Sequence, residues 1–141
     1  MAKQLPRGIR NNNPLNIRRG DDWMGLVAVS TDKAFCQFIS MRWGLRAAVI
    51  ILKKYMTKYK CDTIRKIITR WAPPNENDTV KYVDTVCQRT GYKPDEKFKF
   101  TDKTRLCGII QAMSFVENGG QYITFNDVLD GYALATTTNH Y

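Results

Sequence analysis

The sequence predicts an α+β, mostly helical fold in which helices pack around a small antiparallel hairpin sheet. Three observations carry this expectation. Between residues 43 and 118, several stretches repeat apolar side chains at helical spacing. Between residues 15 and 40, three short segments have strand character and are separated by turn residues. Capping and stopping residues stand at the ends of the helical stretches. A chain of 141 residues suits one domain spanning 1–141, and a chain of that size buries roughly 70% of its unfolded surface around a single core.

In chain order, residues 1–10 form a basic arm in which Pro6 and Gly8 oppose regular structure, so it is expected to be extended and flexible. Asn11-Asn12-Asn13-Pro14 is a turn cluster, since asparagine side chains bond nearby backbone and the residue before proline is held extended. Leu15–Arg19, Trp23–Ser30 and Ala34–Ser40 are the expected strands; a sheet so small must pack on helices. Trp43–Lys60 is the first long helix, with Leu45, Ala48, Val49, Leu52, Tyr55, Met56 and Tyr59 inward. Arg46, Lys53, Lys54, Lys58 and Lys60 are expected in solvent. Asp62 is the expected cap of a second helix, where Ile64, Ile67, Ile68 and Trp71 share a face until Pro73-Pro74 stops it.

A third helix starts at Asn77 or Asp78, turns Val80, Val83, Val86 and Cys87 inward, and ends at Gly91; Tyr82 falls on its flank. The fourth, within Thr101–Gly120, carries Leu106, Ile109, Ile110, Met113 and Val116 on one face, capped by Thr101 and Asp102 and stopped by Gly119-Gly120. Asn126 is the expected cap of a last short helix through Leu134, and residues 136–141 read as a flexible tail.

Composition excludes several function classes. No apolar run approaches the ~20 residues of a membrane span, and the basic N-terminus lacks the apolar stretch of a secretory signal. Cys36, Cys61, Cys87 and Cys107 form no CxxC or CxH pair, which argues against a zinc or redox motif and predicts reduced thiols. No metal or cofactor is expected. The net charge of +9 implies attraction to polyanions. The basic residues are spread over several helices without a recognition helix, which disfavours a nucleic-acid-binding domain.

The only histidine is His140, next to the last residue. Ser-His-Asp, Cys-His and zinc-amidase chemistry all need a positioned imidazole, so acid-base work falls to carboxylates. Of the three glutamates Glu76, Glu96 and Glu117, only Glu117 ends a strongly apolar helix. Half-desolvation at the lip of a cleft raises a carboxyl's pKa, as a general acid for glycosidic cleavage requires; the competing expectation is a solvated glutamate before a helix stop.

Short segments together resemble bacterial and phage peptidoglycan-cleaving enzymes of the lysozyme-like superfamily, especially the glucosaminidase and lytic transglycosylase branches. In the glucosaminidases a helix ending in Glu-Ser-Gly precedes an Asn-Asn-Leu-Phe-Gly-Ile type turn, then a Trp-x-Gly and Phe-x-x-Phe hairpin, a helix, and a Tyr-Ala-x-Asp-Pro-x-Tyr stretch. Here Asn12-Asn13-Pro14-Leu15-Asn16-Ile17 resembles the turn, Trp23-Met24-Gly25 and Phe35-Cys36-Gln37-Phe38 the hairpin, and Trp71 through Tyr82 the last stretch. The helix end Val116-Glu117-Asn118-Gly119 is similar to the family's catalytic one but comes last, which implies a circularly permuted order. Leu15 and Asn118 depart from the pattern. With its RGIRNNNP, WAPPNENDT and ENG arrangement, the chain also resembles prophage proteins often described as virion or structural proteins.

The resemblance implies a lysozyme-like domain acting on peptidoglycan without a cofactor, with Glu117 protonating the leaving glycosidic oxygen. Glu76, Asp21 and Asp22 are the candidate second carboxylates. Asn13, Asn16, Arg18, Trp23, Gln37, Trp71 and Tyr82 are the implied substrate-binding residues, with aromatic faces for sugar rings, amides for acetamido groups, and Arg10, Arg18 and Arg19 for stem carboxylates or wall phosphates. It also implies residence in a phage virion or host cytoplasm, with release to the wall by a route other than a signal peptide. The alternative is a wall-binding virion protein without turnover.

Overall fold

The periodic stretches form helices in the order that their patterns set, and the computed structural model describes residues 4–138. The expectations placed on residues 1–3 and 139–141, including His140, lie outside the described residues. The helices are α1 (Arg7–Arg10), α2 (Met41–Thr57), α3 (Ile64–Trp71), α4 (Thr79–Thr90), α5 (Lys103–Asn118) and α6 (Phe125–Thr137). α2 and α6 pack along each other, α5 lies against α4 and α6, and α3 packs on α4. Leu45, Leu52, Ile67, Val86, Leu106, Ile110 and Val128 meet in the main core. A smaller cluster of Ile17, Trp23, Cys36, Phe38 and Ala47 joins the N-terminal segment to α2.

The side chains that stop and start the helices have local physical reasons. Thr63 caps α3 by accepting from the Lys66 N–H, in place of the expected Asp62. Asp78 and Asp102 cap α4 and α5 through the N–H groups of Lys81 and Arg105. α6 opens with a reciprocal capping box between Thr124 and Asp127, two residues before the expected Asn126, and its last turn takes in Thr136 and Thr137. The end of the basic arm is also ordered: Arg7–Arg10 make one helical turn with Gly8 buried.

The expected hairpin sheet is not there. Among the described residues no strand forms, and residues 11–40 are an irregular layer with two isolated antiparallel bridges, Arg18 to Phe35 and Leu26 to Phe38. The fold is therefore all-helical rather than α+β. Side chains replace the missing ladder. Asn13, fully buried, donates from Nδ2 to the carbonyls of Ile17 (2.9 Å) and Cys36 (3.0 Å) and accepts the Ile17 N–H at 2.9 Å. Asp32 Oδ1 accepts the N–H groups of Ala34 and Phe35, and Gln37 Oε1 accepts that of Thr31. Asn12 and Asn16 take left-handed φ values of 51° and 54°, which bends the chain just ahead of the first bridge at Arg18.

Burial expectations are corrected as well, among them that for Tyr59, which lies beyond the end of α2 and is exposed. Arg46 is fully buried on α2, where its Nε donates to Thr138 Oγ1 at 2.7 Å, because α6 covers the face expected to be in solvent. On α4, Val80 is exposed while Tyr82 is buried with Val83 and Val86, a rotation set by the packing of α4 on α5. The four cysteines are free thiols, three of them buried and Cys87 half-buried.

Candidate functional site

A cleft of about 1050 Å³ runs between the irregular N-terminal layer, α2, the end of α3 and the end of α5. Glu117 reaches it because α5 stops there. Gly119 adopts φ 67° as the left-handed residue after the helix, which leaves Glu117 in the last turn with its carboxyl at the cleft wall. The turn is tied down by its neighbour: Asn118 Nδ2 donates to the Pro14 carbonyl (2.8 Å) and the Ser114 carbonyl (2.9 Å). Asn118 is thus 8% exposed and binds the asparagine turn to α5.

Three donors from three separate segments converge on the Glu117 carboxyl. Asn16 Nδ2 donates to Oε1 at 3.2 Å across 101 residues of chain, helped by the left-handed backbone that swings its amide toward α5. Trp71 Nε1 donates to Oε2 at 3.2 Å from the last residue of α3, held there by the Pro73-Pro74 stop. The Tyr82 hydroxyl donates to the same Oε2 at 2.9 Å from within the α4–α5 interface. Burial first, then the Glu117 charge and the hydrogen bond to it, push the Tyr82 phenol well above its ordinary pKa. It therefore stays a protonated donor through the neutral range.

The other residues named from the sequence divide clearly. Arg18, Trp23 and Glu76 line the cleft together with Asn16, Trp71 and Glu117. Trp23 is 4% exposed, so only its edge reaches the cleft, whereas Arg18 and Glu76 are exposed. Of the candidate second carboxylates, Asp21 and Glu76 border this cleft and Asp22 does not. Asn13 and Gln37 do not border it. Asn13 is consumed by the backbone bonds described above, and Gln37 Nε2 donates to Asn11 Oδ1 (3.0 Å) and Thr31 Oγ1 (2.8 Å). Tyr82 stands behind the cleft and reaches it only through the Glu117 carboxyl, so it positions that group and offers no face to a sugar ring.

Sequence reasoning missed the cationic and aromatic wall opposite the asparagine turn. Arg70 and Lys54, with Tyr55 and Tyr59, border the same cleft. The Arg70 guanidinium lies 3.6 Å from the Tyr59 ring centroid and 5.2 Å from that of Tyr55. The one available signal was the Arg70-Trp71 pair just before a double-proline stop, which places a cation beside an aromatic at a fixed helix end. Among the described residues, no group of three or more His, Cys, Asp or Glu side chains is placed to hold a metal ion, and no helix is long and apolar enough to cross a membrane.

No family model matches the chain. It is 39% identical over 133 residues to Protein P5 of Pseudoalteromonas phage PM2, a match covering 92% of this chain and 81% of that protein. The chain belongs to the family of this phage protein.

Proposed function

We propose that the protein cleaves the glycan strands of peptidoglycan, as a glycosidase or lytic transglycosylase, with Glu117 as general acid. The observation that carries this reading is a half-buried carboxyl at a cleft, gripped on both oxygens by Asn16, Trp71 and Tyr82. The motif resemblance to peptidoglycan-cleaving enzymes and the phage origin of the relative support it.

The grip also distinguishes the two carboxyl oxygens. A carboxyl oxygen has two acceptor positions. Oε2 spends both, on Trp71 and Tyr82, whereas Oε1 accepts one bond from the side chains, from Asn16. On this reading Oε1, with an acceptor position to spare, is the oxygen that delivers a proton to the leaving glycosidic oxygen. Once it has moved, the carboxylate left behind meets three donors already in place, so little reorganisation accompanies the charge that develops. Asp21 and Glu76, on the same cleft, are the protein groups available to direct a water in the second step; the sugar's own acetamido or hydroxyl group is the alternative.

The test is Glu117→Gln, nearly isosteric but unable to donate this proton. Release of soluble muropeptides from purified peptidoglycan is expected to fall about 10²- to 10⁴-fold with the far-UV circular dichroism unchanged. Equal release by the variant refutes the assignment. Mass spectrometry of the products identifies the bond cut and separates hydrolysis from transglycosylation.

One observation favours a second reading, a virion protein that binds wall material without turnover. The same three donors suit a permanently ionised carboxylate that pins α3, α4 and the asparagine turn to α5. On that reading the wild-type protein co-sediments with peptidoglycan and releases nothing.

A further inference from the structure

Three arginines of this protein are neutralised by an acid. Arg7 pairs with Asp32, Arg65 with Asp95, and Arg105 with Glu96 and Asp102. The cations on the α2–α3 wall of the cleft are not. Among the described residues, neither Arg70 nor Lys54 makes an ion pair with a protein carboxylate, although Glu76 borders the same cleft. Arg70 is instead laid over the Tyr59 ring and flanked by Tyr55. Stacking of this kind fixes the guanidinium plane and leaves its edge N–H groups free for a planar oxyanion, so less order is lost when one binds.

The wall is also in register with the proposed acid. Tyr55 packs against Trp71 with ring centroids 6.4 Å apart, and Trp71 is the residue that donates to Glu117. A continuous series of side chains, Glu117, Trp71, Tyr55, Arg70 and Tyr59, therefore runs along one side of the cleft.

We propose that Arg70, stacked on Tyr59 beside Lys54, is a carboxylate-binding subsite that selects glycan strands carrying acidic substituents over neutral ones. This inference rests on the reading of the cleft as a glycan site. The guanidinium fork takes the substituent carboxylate in two parallel hydrogen bonds, Lys54 adds a second charge, and the sugar backbone is thereby set against Trp71 with its glycosidic oxygen toward Glu117 Oε1. A neutral polymer of the same backbone lacks the anchor.

The experiment measures binding, so that it does not depend on turnover. The full-length Glu117→Gln protein is titrated with solubilised peptidoglycan strands and with the same strands after their carboxylates are capped as methylamides. The native strands are expected to bind about tenfold more tightly. Arg70→Gln is expected to bring the ratio close to one and Lys54→Gln to lower it partly, whereas Lys93→Gln, which removes an exposed charge outside the cleft, should leave it in place. Arg70 is exposed, and circular dichroism checks that its variant folds. Equal affinity for the two strands, discrimination that survives Arg70→Gln, or an equal loss in Lys93→Gln each overturns the subsite. Muropeptide release by the wild type is read in parallel: discrimination without release leaves the subsite standing and removes the catalytic reading, and release without discrimination does the reverse.

Discussion

Replacing Tyr82 by phenylalanine tests the grip on Glu117 with the least disturbance elsewhere. The ring is 6% exposed and keeps its volume, so no cavity opens; what disappears is one hydroxyl donating to Oε2 at 2.9 Å. A hydrogen bond to a charged group contributes about 1.5–3 kcal/mol. Here the carboxyl is half-buried at a cleft, Trp71 still serves the same oxygen, and water replaces part of the loss, so about 1–2 kcal/mol is the expected cost. In a chain of this length that lowers Tm by about 3–6 °C. The pH dependence has a definite sign. The native phenol holds its proton more tightly than the unfolded one, so its contribution is complete below the unfolded pKa of about 10 and is lost as pH rises beyond it. The variant should therefore show a flatter alkaline limb of stability above about pH 10. With one of the two donors to Oε2 gone, muropeptide release should fall about tenfold in kcat with little change in KM. Denaturation scans between neutral and strongly alkaline pH, with product assays, measure all three. An unchanged Tm together with an unchanged alkaline limb would show that the hydroxyl does not hold the carboxyl.

Further substitutions probe the supports of the site. Gly8→Ala sets a gain of up to about 1 kcal/mol in helix propensity against overpacking of about 1–3 kcal/mol. The new Cβ would stand 2.6 Å from both Asn16 Oδ1 and Asn118 Oδ1, so a net loss is expected in urea unfolding, with reduced activity because Asn16 is displaced. Asn118→Ala leaves the buried Pro14 carbonyl without its donor and should cost about 1–3 kcal/mol, read from the same unfolding curves. Asp32 is held well below the usual carboxylate range by Arg7, then by the Phe35 N–H, Asn11 and the Ala34 N–H. Its contribution is present above the unfolded pKa of about 3.9 and is lost as pH falls through the acid range. Asp32→Asn should thus be less stable at neutral pH and show a flatter acid limb in thermal scans.

The helices were legible because their signals are local. Apolar spacing located α2 to α5, and an aspartate cap with a glycine stop delimited α5 closely enough to put Glu117 in its last turn. What failed depends on packing between elements. The strand character of residues 15–40 is real, yet Asn13, Asp32 and Gln37 satisfy backbone groups that a ladder would otherwise pair, and no local rule ranks those two outcomes. Val80 and Tyr82 exchange places because a modest rotation of α4 about its axis is set by α5 and not by its own sequence. Asn13 and Asn16 have the same side chain three residues apart; only the left-handed backbone at Asn16 sends one amide to the carboxyl while the other turns inward. Arg70 went unnoticed because an arginine on a polar helix face is ordinary until the rings beneath it are known.

The bond between Asn16 and Glu117 joins segments at nearly opposite ends of the chain. During synthesis the donor set around Glu117 therefore cannot be completed until α5 has left the ribosome and the N-terminal turn has returned to meet it. Peeling residues 4–18 back from α5 would break this bond and the one from Asn118 to Pro14 and would bare Leu15 of the main core, so the cleft wall and the core are completed by the same docking event.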